Sequence, residues 1–216
     1  MIFVDKLNIF GGIDPAGREK IAECFCMKRK IYQADEIILS YSVKGESVYI
    51  IRSGAAQISC IDEDGNYSLL ENLAENDVFG EMFCFPLSNV QYIVKATERT
   101  EVYWIDYRKI IRPCANVCEY HCRLLDNFCG IMAEKVQTLS MRISILTQKS
   151  VRRKLLTYLQ AANVGGGGEE FTIDLSLSEL ADYLNVDRSS LMREIRGMKR
   201  EKMLWSKGRK FRFIQA

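Results

Sequence analysis

The sequence predicts an α+β chain in three successive segments: an N-terminal antiparallel β-roll over residues 1–112, a long helix over 113–148, and two short helices with a β-hairpin over 149–216. Three observations predict it. From Lys30 to about Tyr107, short runs rich in Ile, Val and Tyr are separated by turn dipeptides. From Pro113 onward, apolar residues keep a heptad spacing. Beyond Ser176, capping signals mark two short helices ahead of a basic hairpin. With 216 residues the chain is long enough for two ordinary domains, each with its own core.

In order along the chain, the N-terminal segment reads as strands: IYQADEIILSYS, SVYIIRSG, AAQISCIDEDGNYSLLENL, YIVKAT and EVYWID. Lys44-Gly45, Asp64-Gly65 and Asn76-Asp77 punctuate them, which favours hairpins and hence an antiparallel sheet packed on itself. Along the predicted long helix, a heptad column holds Ala115, Cys122, Cys129, Val136 and Ile143, and a second column holds Cys118, Leu125, Met132, Leu139 and Leu146. Every position is small or apolar. A seam that narrow is satisfied by the same helix of a second copy, so a homodimer is expected, with Cys118, Cys122, Leu125, Cys129, Met132, Val136, Leu139 and Ile143 as its seam.

The C-terminal segment begins with SVRRKLLTYLQAA, an amphipathic helix, followed by NVGGGGEE, whose glycines favour a loop, and FTIDL, a short strand. Ser176-Leu177-Ser178-Glu179 is a capping box opening SELADYLN. Asn185 stands where a left-handed residue ends that helix, and Asp187 where a side chain caps the next.

Two short helices joined by a tight turn have the form of a helix-turn-helix. At 100° per residue, Leu191, Ile195 and Met198 share one face of the second helix, while Arg188, Ser189, Met192, Arg193 and Arg196 project from the other. Arginine suits a major groove because its planar fork bonds guanine O6 and N7 together. MLWSKGRKFRFIQA adds a wing whose tip carries Lys207, Arg209 and Lys210, the residue types that meet phosphates. Charge agrees: net charge is +2 overall, but residues 176–216 hold ten Lys/Arg against five Asp/Glu. The basic excess lies in the tail.

Other classes fit poorly. No apolar stretch reaches the roughly 18 residues of a membrane span, and MIFVDKLNIFGG carries charges inside its apolar run, so no signal sequence is read and a cytoplasmic protein is expected. Eight cysteines contain no C-x-x-C and no zinc spacing, and in a reducing cytosol most stay thiols. No metal site is read. A cupin-like enzyme would need a metal-binding set that the single histidine, His121, cannot supply. No phosphate-binding G-x-x-x-x-G-K loop and no nucleophile with an adjacent base is present, so no catalytic residue is assigned.

With a cyclic-nucleotide-binding-domain-like β-roll, a long dimerisation helix and a winged helix-turn-helix in that order, the chain resembles the Crp/Fnr family of transcription regulators. SVYIIRSGAAQIS, LAENDVFGEMFCF and DRSSLMREI carry the resemblance over nearly the whole length. It implies a homodimer on a palindromic site in double-stranded DNA, a small-molecule effector and contact with RNA polymerase. It also implies base reading by Arg188, Ser189, Met192 and Arg193. Phosphate contacts follow from Ser176, Ser178, Asp187, Ser190 and Arg196, beside the wing cations. The effector pocket falls on Phe79, Gly80, Glu81, Met82, Val90 and Gln91.

The chain departs from the family pattern at informative places. Cyclic-AMP-binding members follow the Gly-Glu pair with an Arg-Ser pair, whereas Val90 and Gln91 stand there here. Cyclic AMP is therefore disfavoured and the effector left unassigned. Cys24-Phe25-Cys26 lacks the spacing of an iron–sulfur cluster. Ser189 replaces the glutamate that reads cytosine in the best-known member, so a different half-site is expected. His121 flanks the seam, as a surface or interface residue. Cys114, Cys118, Cys122 and Cys129 fall within about 80° on one helix, which frames the alternative of a redox- or haem-responsive regulator. Reorientation of the winged helices is expected about Lys149-Ser150.

Overall fold

A computed structural model describes residues 8–41, 45–62, 64–65, 67–84, 91–112, 118–163 and 168–214. The chain forms two compact units, one over Leu7–Met132 and one containing Ala133–Ala216.

The first unit opens with α1 (Pro15–Cys24). Asp14 caps it, accepting from the Gly17 N–H at 2.7 Å, and Pro15 takes the first turn, where no N–H is needed. Eight strands follow: β1 (Lys28–Tyr32), β2 (Ile37–Tyr41), β3 (Ser47–Ser53), β4 (Ala56–Ile61), β5 (Tyr67–Leu73), β6 (Val78–Phe79), β7 (Gln91–Ala96) and β8 (Thr100–Asp106), then the short helix α2 (Tyr107–Ile111). All pairings are antiparallel, in two four-stranded sheets ordered β1-β8-β3-β6 and β2-β7-β4-β5. IYQADEIILSYS is two strands, because Asp35 takes a left-handed conformation (φ 68°) and sends β1 and β2 into different sheets.

Between the sheets lies a core of Ile51, Ile58, Leu73, Phe79, Val94 and Val102. The outer face of the first sheet presents Val48, Ile50 and Ile105, which pack with Ile21 and Phe25 of α1 and with Leu124, Phe128 and Ile131 of the long helix. Residues of β3 thus alternate between two cores, as the twofold period of a strand requires. Gly54 turns β3 into β4 at φ 86°, and a Cβ there would lie 2.5 Å from the Arg99 carbonyl oxygen. The buried Thr100 hydroxyl fastens that turn, donating to the Ala55 carbonyl at 2.8 Å.

The long helix α3 spans Glu119–Leu146, not Pro113 to Gln148. Residues 113–117, including Cys114 and Ala115, lie outside the described residues. Cys118 precedes the helix, its carbonyl accepting from the His121 and Cys122 N–H groups. Thr147 Oγ1 bonds back to the Ile143 carbonyl and Gln148 Nε2 to the Ser144 carbonyl, closing the C-terminal end with side chains.

The second unit contains α4 (Val151–Ala162), β9 (Phe171–Thr172), α5 (Leu177–Tyr183), α6 (Arg188–Arg200), β10 (Leu204–Lys207) and β11 (Lys210–Phe213). Ser150 caps α4 through its hydroxyl, which accepts from the Arg153 N–H. Only two residues of FTIDL pair as strand, in a sheet ordered β10-β11-β9. The core of this unit joins Ile145, Leu155, Leu159, Leu180, Leu184, Leu191, Ile195, Met198, Leu204 and Phe211.

Candidate nucleic-acid interface and ligand pocket

The helix pair α5 and α6 is built by its caps. Ser176 accepts from the Glu179 N–H at 3.3 Å while Glu179 Oε2 accepts from the Ser176 N–H at 2.7 Å, completing the capping box. Those bonds hold the Glu179 carboxyl below the usual glutamate range, the backbone N–H contributing most. At the other end Asn185 is left-handed (φ 51°). Its N–H reaches the Asp182 carbonyl and that of Val186 the Ala181 carbonyl, which ends α5 in two bonds and turns the chain at once. Lys154 of α4 donates to the Leu184 carbonyl at 3.1 Å, tying this turn to its neighbour. Asp187 departs from expectation. It occupies the N-cap of α6 by backbone geometry, but its side chain makes no cap hydrogen bond, leaving the carboxylate exposed at the helix start.

On α6 the two faces separate as their spacing predicts. Leu191 and Met198 are fully buried and Ile195 nearly so, whereas Arg188, Ser189, Arg193 and Arg196 are exposed and Ser190 and Met192 half-buried. Among the described residues none pairs with Arg188, Arg193 or Arg196. Ser176 and Ser178 are exposed at the start of α5.

The hairpin β10-β11 turns at Gly208 (φ 60°), with Lys207 opposite Lys210. Its cations divide into two kinds. Arg209 donates to the Asp174 carbonyl at 3.0 Å, and Lys210 pairs with Glu170 at 2.8 Å, a carboxylate that holds its ammonium above the usual lysine range. Lys207 is exposed at the tip. Lys199 braces the hairpin by donating to the Ser206 carbonyl, a role its place in the sequence does not announce.

In the first unit, Phe79 is fully buried and stacks on Tyr49 at 5.3 Å. Gly80 follows at φ 90°, where a Cβ would lie 2.7 Å from the Tyr49 ring, so glycine is required. Glu81, half-buried, begins a 3-10 turn to Cys84, and Met82 is 38% exposed on it. Gln91 is exposed at the start of β7, in the other sheet, and Val90 lies outside the described residues. A neutral amide therefore stands where a cationic phosphate ligand would be needed.

His121 corrects its expectation. It is 5% exposed, its Nε2 lies 3.0 Å from the Ile110 carbonyl, and its ring meets Phe25 edge-on at 4.9 Å. The heptad grid puts it beside the seam, but α1 and α2 cover that side of α3. Of the expected seam, Leu125 and Met132 pack partly on the core, Cys118 is half-buried, and Cys122, Cys129, Val136, Leu139 and Ile143 are exposed. Among the described residues no group of three His, Cys, Asp or Glu side chains is placed to hold a metal ion, and no helix is long and apolar enough to cross a membrane.

Comparison with known proteins places residues 29–116 in register with the cyclic nucleotide-binding domain family. A curated relative, a cAMP-dependent protein kinase regulatory subunit of Blastocladiella emersonii, is 28% identical over 80 residues, 37% of this chain and 19% of that protein. The chain thus matches about a fifth of that relative's length. Among solved structures, OCPA-complexed CprK aligns with a TM-score of 0.67 at 18% identity, covering 91% of this chain and 90% of that one. The catabolite activator protein of Thermus thermophilus aligns at 0.52 and 18% identity, covering 95% and 92%. The chain shares the fold of these proteins across both of its units.

Proposed function

We propose that the chain is a sequence-specific, DNA-binding transcription regulator of the Crp/Fnr type, acting as a homodimer under the control of a small-molecule effector. The two faces of α6 carry this reading. A helix anchored by Leu191, Ile195 and Met198 and showing exposed arginines on its opposite side is the arrangement that a major groove accepts. With the hairpin as wing, the second unit is a winged helix-turn-helix. Arg188 and Arg193 read guanines, Ser189 and Met192 complete the base-reading set, and Lys207, Arg196, Ser176, Ser178, Ser190 and the backbone near Asp187 meet phosphates. Arg209 and Lys210 face the DNA while holding the hairpin to Asp174 and Glu170.

Dimerisation runs through the exposed apolar row of α3, which aligns the two recognition helices on a palindrome. The effector pocket lies around Phe79 to Met82. An effector acts through its different affinity for the DNA-competent and incompetent arrangements, exchanged about Lys149-Ser150. RNA polymerase is the expected second partner.

The test is binding to duplexes selected from a random pool. Arg193→Ala should lower the preference for selected over scrambled DNA by about 5- to 150-fold per half-site, the value of one bidentate arginine–guanine pair. Lys207→Ala should weaken both duplexes alike and flatten the salt dependence. Unchanged preference in the Arg193 variant would remove the recognition-helix assignment.

A further inference from the structure

One cluster of nucleophilic side chains lies outside both the DNA-facing surface and the effector pocket. Cys24, the last residue of α1, and Cys118, just ahead of α3, line one small cavity of about 10 Å³ together with Lys20, Phe25, Tyr120 and His121. In sequence they are far apart. Contacts on both sides of the cavity hold the two segments together: the Phe25–His121 ring pair at 4.9 Å, and the Lys20 ammonium 5.5 Å from the Tyr120 ring centre. Gly17 allows this closeness, since a Cβ there would lie 2.4 Å from the Tyr120 ring. Both cysteines are present as thiols, Cys24 exposed and Cys118 half-buried.

We propose that Cys24 and Cys118 are a redox-active pair that closes to an intrachain disulfide under a peroxide. A void of this size has walls about one water molecule apart, so the sulfurs need only a small movement to bond. Exposure makes Cys24 the first to react. Its thiolate attacks one peroxide oxygen, an S–O bond forms as the O–O bond breaks, and hydroxide leaves to be protonated to water. The Cys118 thiolate then attacks the sulfenic sulfur, the S–S bond forms, and the oxygen departs as a second water. Two thiols are oxidised by two electrons and one peroxide is reduced. A metal centre is not the reading, because His121 Nε2 already faces the Ile110 carbonyl and no third ligand joins the two sulfurs among the described residues. The bond would fix the end of α1 to the start of α3, independently of whether the second unit binds DNA.

The experiment treats the reduced full-length chain with hydrogen peroxide, then alkylates, digests without reductant and sequences cross-linked peptides by mass spectrometry. Oxidation should remove two alkylatable thiols per chain, give a Cys24–Cys118 linkage in a monomeric band on a non-reducing gel, and reverse with dithiothreitol. The linkage should survive in Cys26→Ser and vanish in Cys24→Ser, whose exposed position keeps folding intact. A Cys118–Cys118 link between two copies, or sulfinic acid at Cys24 with Cys118 still alkylatable, would overturn the proposal.

Discussion

Replacing Leu139 by alanine tests the dimer where the single chain shows most apolar surface. Val136, Leu139 and Ile143 are 61, 60 and 62% exposed, and they recur on one side of α3. Full burial of such a side chain is worth roughly 1.5–3 kcal/mol, so the exposed six-tenths carries about 1–1.8 kcal/mol each. Six such side chains across two helices supply about 6–11 kcal/mol, the order needed to offset the entropy lost on association. Leu139→Ala gives up about 1–1.5 kcal/mol on each helix, so the dimer dissociation constant should rise roughly 30- to 150-fold. Sedimentation velocity across a concentration series measures that shift, with circular dichroism confirming the fold. Ile145→Ala provides the contrast, because Ile145 is fully buried in the second unit's core and its loss should lower stability first. A wild-type chain that sediments as a monomer at micromolar concentration would refute the reasoning.

Gly80→Ala should destabilise the first unit by about 2–4 kcal/mol, the sum of left-handed strain and the clash with Tyr49, read by urea unfolding. An unchanged midpoint would show that the turn relaxes without cost. Leu191→Ala, at a fully buried position, should cost about 2–5 kcal/mol and unfold the second unit while the β-sheet signal persists to higher denaturant. The Glu179 carboxyl is held low in the folded state, so its cap contributes above the ordinary glutamate range and is lost as pH falls through the lowered value. Acid unfolding of wild type should therefore be steeper in that window than that of Glu179→Gln, and superimposable curves would contradict the capping role.

Local chemistry makes much of this readable from sequence. The capping box at Ser176 and the left-handed Asn185 depend only on neighbours a few residues away, and both appear as their residue types imply. The α6 faces follow from period alone. Asp187 departs because N-cap preference describes which residue stands there, not whether its side chain turns inward. His121 departs for a nonlocal reason: the heptad grid describes one helix, and the cover from Phe25 and Ile110 comes from other elements. Asp35 divides a single apolar run because a non-glycine residue at positive φ leaves no periodic signal. The 3-10 turn at Glu81 and the distribution of Arg209 and Lys210 onto Asp174 and Glu170 depend likewise on distant partners.

The strand β3 has a consequence for how this chain can change over time. Because Val48, Ile50 and Ile51 are all buried and fill cores on opposite sides of one sheet, a drift in volume at any of them is felt by neighbours in two layers that share no other strand residue of β3. Compensating changes would have to arise in α1 or α3 for one set of positions and in the facing sheet for the other. Arg52, exposed and pairing with Glu75 at 3.5 Å, is the place on this strand where a new residue meets mainly water. It is there that a spectroscopic label or an engineered charge would disturb the protein least.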